Sequence, residues 1–288
     1  MRKVLSIGLL LAVLLCTFSV AQAAGVNLAF KYKAGEVCNY KVVSTMCVNI
    51  PGSNRPMEMH MSGDITEKVL AVKKDGNIKL QIKMRNMKTV MTGGPNGQSS
   101  RKIPDQTSTI TINKYGRVIS SGNKSSSFVD SASSGDLSSI MSNVAHYGLL
   151  LPGKTISAGN NWKQVVPIPN TNAKINIINT LLAASVPYGK QQASKIKQSA
   201  SAKMDLATIM AASMKNRGGV SSFKDIKGSV NVSGSTVYHF SAAQGKLLKS
   251  SGSYKVVTKI VMPQSARKQG APANINTVST ITASMIKK

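Results

Sequence analysis

The chain has 288 residues, of which 37 are lysine or arginine and 10 are aspartate or glutamate, giving a formal net charge of +27. Its 42% hydrophobic content excludes a disordered polybasic tail, because that much apolar surface can offset the entropy lost on folding. Aromatic residues make up only 5% of the chain. This scarcity argues against the base-stacking surfaces that bind single-stranded nucleic acid, so nucleic acid is not expected as a partner. The positive surplus does attract polyanions such as anionic lipid headgroups and acidic polysaccharide.

Residues 1–23 have the features of a signal peptide. A basic pair at positions 2 and 3 precedes a nearly all-apolar run at 4–20, and Ala21 and Ala23 place small residues at −3 and −1. We therefore predict cleavage after Ala23, with cleavage after Ala24 as the second choice. The apolar run is shorter than the about 20 residues that cross a bilayer comfortably, and no second run of that length follows. The mature chain is expected to be secreted or periplasmic, without a transmembrane helix.

Two cysteines, Cys38 and Cys47, remain after cleavage, and in an oxidising compartment such a pair usually forms a disulfide. However, residues 36–50 are predicted to form one long strand, in which nine residues would hold the two cysteines about 30 Å apart. The odd separation also places them on opposite faces of a straight strand. A bridge would require a turn near Ser44 and Thr45. The sequence leaves an intramolecular disulfide open.

Alternation of apolar and polar residues predicts an antiparallel β structure through most of the chain. The clearest strand is 77–85, preceded by Asp75-Gly76, a favoured hairpin turn. The preceding residues 57–72 lead into that turn, so we expect these two strands to pair antiparallel. Further strands are predicted around Leu28, Phe30 and Tyr32; Ile110 and Ile112; Val230 and Val232; Tyr254, Val256 and Ile260; and residues 275–285.

Helix is predicted at 137–147, capped by Asp136, and at 206–215. Glycine turn patterns also repeat: residues 34–40 are similar to residues 158–162, and residues 112–122 are similar to residues 240–252. These patterns predict two pseudo-repeated halves, residues 24–135 and 136–288, within one continuous domain. Two ordinary hairpins in a chain rich in serine and lysine are the alternative explanation.

The predicted fold class is therefore mainly β. We expect a curved antiparallel sheet or half-open β-barrel, built from two pseudo-repeated halves, with one or two short helices.

The element order includes Leu151-Pro152-Gly153 followed by Gly159-Asn160-Asn161-Trp162. It resembles a group of secreted bacterial envelope proteins whose layout is similar to the half-open β-barrels of the lipoprotein-carrier class. In that class a curved antiparallel sheet wraps an apolar cavity covered by helices. The resemblance covers most of the mature chain through element order and turn motifs, and it implies a location in the bacterial cell envelope. It carries over no catalytic or ligand residue, and the strong positive charge departs from what carriers of acyl chains need inside their cavities.

The sequence offers no recognisable catalytic or metal-binding motif. His60, His146 and His239 each stand alone without metal-ligand spacing, and the carboxylates are thinly spread. We therefore predict no enzyme activity, metal or cofactor, although an active site assembled from distant residues stays an alternative.

The prediction is a non-enzymatic binding protein that holds an apolar, lipid-like ligand on a concave β face with a basic exterior. Flexible methionines suit an adaptable apolar cavity, although core filling is the more common explanation. The candidate ligand contacts are Met59, Met61, Ile78, Leu80, Ile82 and Met84. The candidate anion contacts are Lys79, Lys83, Arg85, Lys255 and Lys259. The alternative is a structural or adhesive envelope protein that binds polyanions by charge.

Overall fold

The computed structural model describes residues 25–49, 55–94, 97–121, 148–167, 172–208, 227–262, 264 and 273–288. The predicted cleavage site after Ala23, the predicted helix at 137–147 and the predicted boundary between the halves lie outside the described residues. Residues 206–208 are helical, and the rest of the helix predicted at 206–215 also lies outside them. No helix in the described ranges is long and apolar enough to cross a membrane.

Fourteen strands are found in the described part of the chain. They are β1 (Val26–Asn27), β2 (Val37–Asn49), β3 (Met57–Val72), β4 (Ile78–Gly94), β5 (Gly97–Lys102), β6 (Gln106–Ile112), β7 (Val118–Ser121), β8 (Thr155–Ile156), β9 (Asn161–Pro167), β10 (Lys174–Tyr188), β11 (Gln191–Asp205), β12 (Lys227–Ser241), β13 (Lys246–Val261) and β14 (Asn274–Lys287).

Twelve of these strands form one antiparallel sheet. Its order is β7-β6-β4-β3-β2-β14-β13-β12-β11-β10-β9, with β5 paired to β4, while β1 and β8 pair separately. Strands β7 and β9 stand at opposite edges, so the sheet is not closed. The last strand, β14, lies between β2 and β13 and so joins the first half of the chain to the second. The predicted fold class, mainly β with an open and curved antiparallel sheet, is confirmed.

The predicted hairpin between β3 and β4 is confirmed, with Val72 opposite Ile78. Its turn contains Gly76 at φ +82°, a left-handed conformation that glycine adopts without strain. The side chain of Asp75 accepts a hydrogen bond from the backbone N–H of Asn77 at 2.9 Å. This Asx contact is the local reason that the chain reverses direction here.

The two halves repeat one strand order, since β2-β3-β4-β6-β7 and β9-β10-β11-β12-β13 are both antiparallel meanders. Gly35 precedes β2 and Gly159 precedes β9, and both have positive φ. The Gly35 N–H donates to the Val69 carbonyl at 2.9 Å, and the Gly159 N–H donates to the Leu181 carbonyl at 2.7 Å. The similar turn sequences therefore occupy equivalent positions in the two meanders.

The prediction of a strand around Leu28, Phe30 and Tyr32 is wrong. These residues form an extended segment, here called the N-terminal arm (residues 28–32), that has no strand neighbour in the sheet. The Phe30 N–H donates to the carbonyl of Lys114 at 2.8 Å, and the Lys31 N–H donates to the carbonyl of Gly245 at 3.1 Å. Because the arm crosses the strand ends, its backbone groups bond to two hairpin turns instead of to a neighbouring strand.

A second segment, the central arm (residues 149–156), packs at the same end of the sheet. Its residues Leu149, Leu151 and Ile156 are buried in one hydrophobic cluster with the N-terminal arm. The Trp162 indole N–H donates to the carbonyl of Leu150 at 2.7 Å, which holds this arm against β9. The two arms therefore close the end of the sheet where the hairpin turns lie, here called the closed end.

The disulfide that the sequence left open is not formed. Strand β2 runs without a turn from Val37 to Asn49, with Cys38 buried and Cys47 half-exposed on the other face. Both thiols are free. The continuous strand therefore keeps the two sulfur atoms too far apart to bond.

Candidate functional site

A cavity of about 70 Å³ lies inside the closed end of the sheet, between the N-terminal arm and the first meander. Its walls are mostly apolar and come from both arms, from β4, β6 and the edge strand β7, and from β13 and β14. The apolar contributors include Phe30, Leu80, Ile82, Ile110, Ile112 and Val118. A Cβ at Gly116 would lie 2.7 Å from the carbonyl oxygen of Leu149, so a glycine is needed where the turn passes under the central arm.

Glu67 brings a carboxyl group into this apolar wall. It lies on the inner face of β3, directly opposite Cys38 on β2 and Ile82 on β4, and it is buried. The Tyr32 hydroxyl donates to its Oε2 at 3.1 Å, and the Tyr40 side chain forms a second hydrogen bond with the carboxyl group. Two tyrosines from separate elements therefore orient this group toward the cavity.

Burial raises the pKa of Glu67 to about 7, although hydrogen bonds from Tyr32 and Tyr40 and the charge of Lys287 act in the opposite direction. Burial dominates because an ionised carboxylate loses its hydration inside an apolar cluster. Near neutral pH the group therefore exists in both the protonated and the ionised form. In the protonated form it can donate a hydrogen bond as well as accept one.

The neighbouring thiol of Cys38 does not add a nucleophile to this site. Burial raises its pKa, and the negative charges of Glu67 and Glu36 raise it further against the opposing effect of Lys287. A thiol with a raised pKa is mostly protonated and a poor nucleophile. Cys38 is therefore a poor candidate for a nucleophile at this site.

The candidate ligand residues all lie on or near the inner face, but only some of them line the cavity. Leu80 and Ile82 line the cavity, and Ile78 is buried in the same cluster without lining it. Met61 and Met84 are half-buried and pack against that cluster. Met59 is half-buried farther along β3, in the direction away from the cavity. The ligand-binding role assigned to these six residues stays a prediction.

A cross-strand row of methionines lies beyond the cavity on the inner face. Met59 on β3 stands directly opposite Met46 on β2 and Met91 on β4, and all three are half-buried. Between this row and the cavity, the Met87 side chain occupies the space over Gly63. Thioether side chains are flexible, so this part of the inner face can adapt its shape.

The candidate anion contacts are all exposed, but they fall into two groups. Lys79, Lys83 and Arg85 lie on β4 in the first half, whereas Lys255 and Lys259 lie on β13 in the second. Strands β3, β2 and β14 separate β4 from β13. These residues therefore form no single cluster, and their anion-binding role stays a prediction.

Sequence reasoning missed Glu67, although a signal was present. In 57–72 the inward positions are otherwise methionine, glycine, isoleucine, valine and alanine, and Glu67 occupies the same parity. A lone carboxylate at an inward position of an amphipathic strand is worth singling out, because buried acids are rare without a partner. Its tyrosine partners could not be found this way, because both lie in other elements.

Within the described ranges, no group of three His, Cys, Asp or Glu side chains lies close enough to hold a metal ion.

No protein-family model and no curated protein sequence matches the chain. The structure is similar to a solved structure described as "lipid-protein interactions in lipovitellin", with a TM-score of 0.47 and 8% identity. That match covers 90% of this chain and 25% of the other, so this chain spans about a quarter of the length of the protein it matches. Another match is DynF from the dynemicin biosynthesis pathway of Micromonospora chersina, with a TM-score of 0.22, 10% identity, and coverage of 91% and 85%. At these scores the matches carry no inference about function.

Proposed function

We propose that this chain is a secreted or periplasmic, non-enzymatic binding protein of the bacterial cell envelope that holds a lipid-like apolar ligand on the inner face of its sheet. The observation that carries the proposal is the apolar cavity with the buried carboxyl group of Glu67 in its wall. A mostly apolar site with one well-placed polar group is typical of small-molecule binding sites. The carboxyl group would bond to a polar end group of the ligand, while the apolar walls contact its hydrocarbon part.

The size of the cavity constrains how a ligand lies. About 70 Å³ admits only the end of a hydrocarbon chain. From Glu67 to Met59 the inner face of β3 extends eight residues, or about 26 Å. We place the remainder of the ligand along this track, with the Met87 side chain moving away from Gly63 to admit it. The exposed lysines on the outer face would then meet anionic envelope surfaces.

Filling the cavity should weaken binding of a fluorescent fatty acid by at least tenfold. The test variant is Val118→Trp, because Val118 lines the cavity yet is 39% exposed, which lets the larger ring enter without displacing the core. The matched control is Ile119→Trp, at the next residue of the same edge strand, which is 53% exposed and does not line the cavity. Fluorescence titration should give saturable binding for the wild type and the control. Equal affinity of the two variants, or no saturable binding by the wild type, would contradict the proposal.

A further inference from the structure

A second concave feature lies on the outer face of the sheet, opposite the buried inner face. It is an open groove of about 510 Å³ that runs across β12, β13, β14 and β2. Two cross-strand rows form its floor. One row is Ser235, Ser253, Thr282 and Thr45, and the other is Val237, Ser251, Ser284 and Val43. Six of these eight side chains carry a hydroxyl group, which can donate and accept a hydrogen bond, and the hydroxyl of Thr45 is already bonded to the His60 ring at 3.0 Å.

The rim of this groove is positively charged. Lys249 lies two residues before Ser251, and Lys255 lies two residues after Ser253. Both lysines are therefore on the same face of β13 as the floor residues. Lys41 on β2 lies two residues before Val43 in the same way. The four strands that form the groove contain lysine but no aspartate or glutamate. The groove thus combines neutral hydroxyls on its floor with positive charge on its rim at Lys249 and Lys255, whereas Lys41 stands directly opposite Asp64 of β3.

A neighbouring histidine responds to this positive charge. His239 on β12 stands directly opposite Lys195 on β11 and Lys249 on β13. Burial lowers the pKa of His239, and the charges of Lys195 and Lys249 lower it further. The lysines on this side of the groove therefore create a local potential that disfavours another cation and favours an anion.

We infer that this groove binds an extended acidic polysaccharide chain, a partner distinct from the apolar ligand proposed for the inner face. Sugar hydroxyls would bond to the serine and threonine floor, and the carboxylates or sulfates of the chain would pair with the lysines on the rim. The groove runs across four strands, about 15 Å at the spacing of neighbouring strands, so it suits a narrow linear polymer.

The same features disfavour the other polyanions that a basic protein meets. A membrane surface is bound by protruding apolar and aromatic side chains, whereas this feature is recessed and floored by small polar residues. Single-stranded nucleic acid needs aromatic platforms on which bases stack, and the groove is lined only by serine, threonine, valine, alanine and glycine.

The test compares binding of an alginate oligosaccharide by the mature chain with binding of a neutral dextran oligosaccharide of equal length. We expect calorimetric binding of alginate alone, reduced at least tenfold by the double substitution Lys249→Gln and Lys255→Gln. The matched control is Lys163→Gln with Lys174→Gln, which removes the same charge from exposed positions on β9 and β10, at the edge of the sheet away from the groove, and should change affinity less than twofold. Ser253→Tyr, which fills the floor without changing the charge, should also reduce affinity at least tenfold.

Two outcomes would overturn the inference. Equal losses in the two double variants, with no loss in Ser253→Tyr, would mean that diffuse charge binds the polymer without a groove. Binding to phosphatidylglycerol vesicles without binding to alginate would assign the surface to a membrane. The fluorescent fatty-acid titration is a separate readout on the opposite face, so failure here leaves the proposed function standing, and the reverse also holds.

Discussion

The free energy of unfolding should fall by about 3 kcal/mol more in the wild type than in a Glu67→Gln variant as the pH rises from about 4.5 to about 7. The pKa of Glu67 is about 7 in the folded protein, against an ordinary value of 4.5. Between these pH values the unfolded chain has released the proton while the folded chain keeps it. Because the folded state then binds more protons, its stability falls as the pH rises through this window. A difference of about 2.5 pH units corresponds to about 3 kcal/mol.

Urea denaturation at half-unit pH intervals from 4 to 8 measures this difference directly. Glutamine keeps an acceptor for the Tyr32 hydroxyl but does not titrate in this range, so the variant isolates the proton at this site. Asp105→Asn is the control, because Asp105 is exposed in the connection between β5 and β6. It should reproduce the wild-type pH dependence. Parallel curves for the wild type and Glu67→Gln would show that the carboxyl group is hydrated and that the cavity is not apolar.

Replacing Leu28 with alanine should destabilise the protein by about 3 kcal/mol. Leu28 is 0% exposed, although it belongs to the N-terminal arm and to no strand of the sheet. Removing a buried leucine side chain loses its transfer free energy and leaves a cavity that rigid surroundings fill only in part. The size of this effect measures how firmly the arm closes the end of the sheet.

Leu182→Ala is the matched control, since Leu182 lies in the middle of β10 and is 44% exposed. It should cost less than about 1 kcal/mol, because little apolar surface is re-exposed. Thermal or urea unfolding of both variants under one condition supplies the comparison. If Leu28→Ala cost no more than Leu182→Ala, the arm would not be part of the core, and the cavity beneath it would be open to water.

Residue alternation predicted the long strands well because a period of two marks one-sided burial. In β4, Ile78, Leu80 and Ile82 are buried, whereas Lys79 and Lys83 on the other face are exposed, as the pattern required. The same signal was misleading at Leu28 and Tyr32. Those residues also alternate, yet they are buried by crossing the strand ends instead of by joining the sheet. Alternation indicates which side chains face the core, but it does not indicate which groups the backbone N–H and C=O hydrogen-bond to.

The candidate site was only partly predictable, because it is assembled from several elements. Leu80 and Ile82 were identified through their own strand, and Glu67 could have been identified through its inward position. The raised pKa of Glu67 could not have been predicted, because it depends on burial beneath an arm that starts 39 residues earlier in the chain. The methionine row likewise depends on the register of three strands, which is set by turn geometry and not by the methionines themselves.

The two faces of the sheet divide the proposed roles. The inner face holds the apolar cavity and Glu67, and the outer face carries the lysines and the hydroxyl groove. This division follows from the strand period, because adjacent residues on one strand point in opposite directions. Variants on one face should therefore leave the binding measured on the other face unchanged.

Native mass spectrometry with organic extraction tests the central claim most directly, on mature protein purified without detergent from the envelope of its own host. We expect a reproducible adduct whose mass matches an extracted apolar molecule, and we expect Val118→Trp to lose it while Ile119→Trp keeps it. A clean mass of the protein alone, with nothing apolar in the extract, would contradict a ligand-binding role for the inner face.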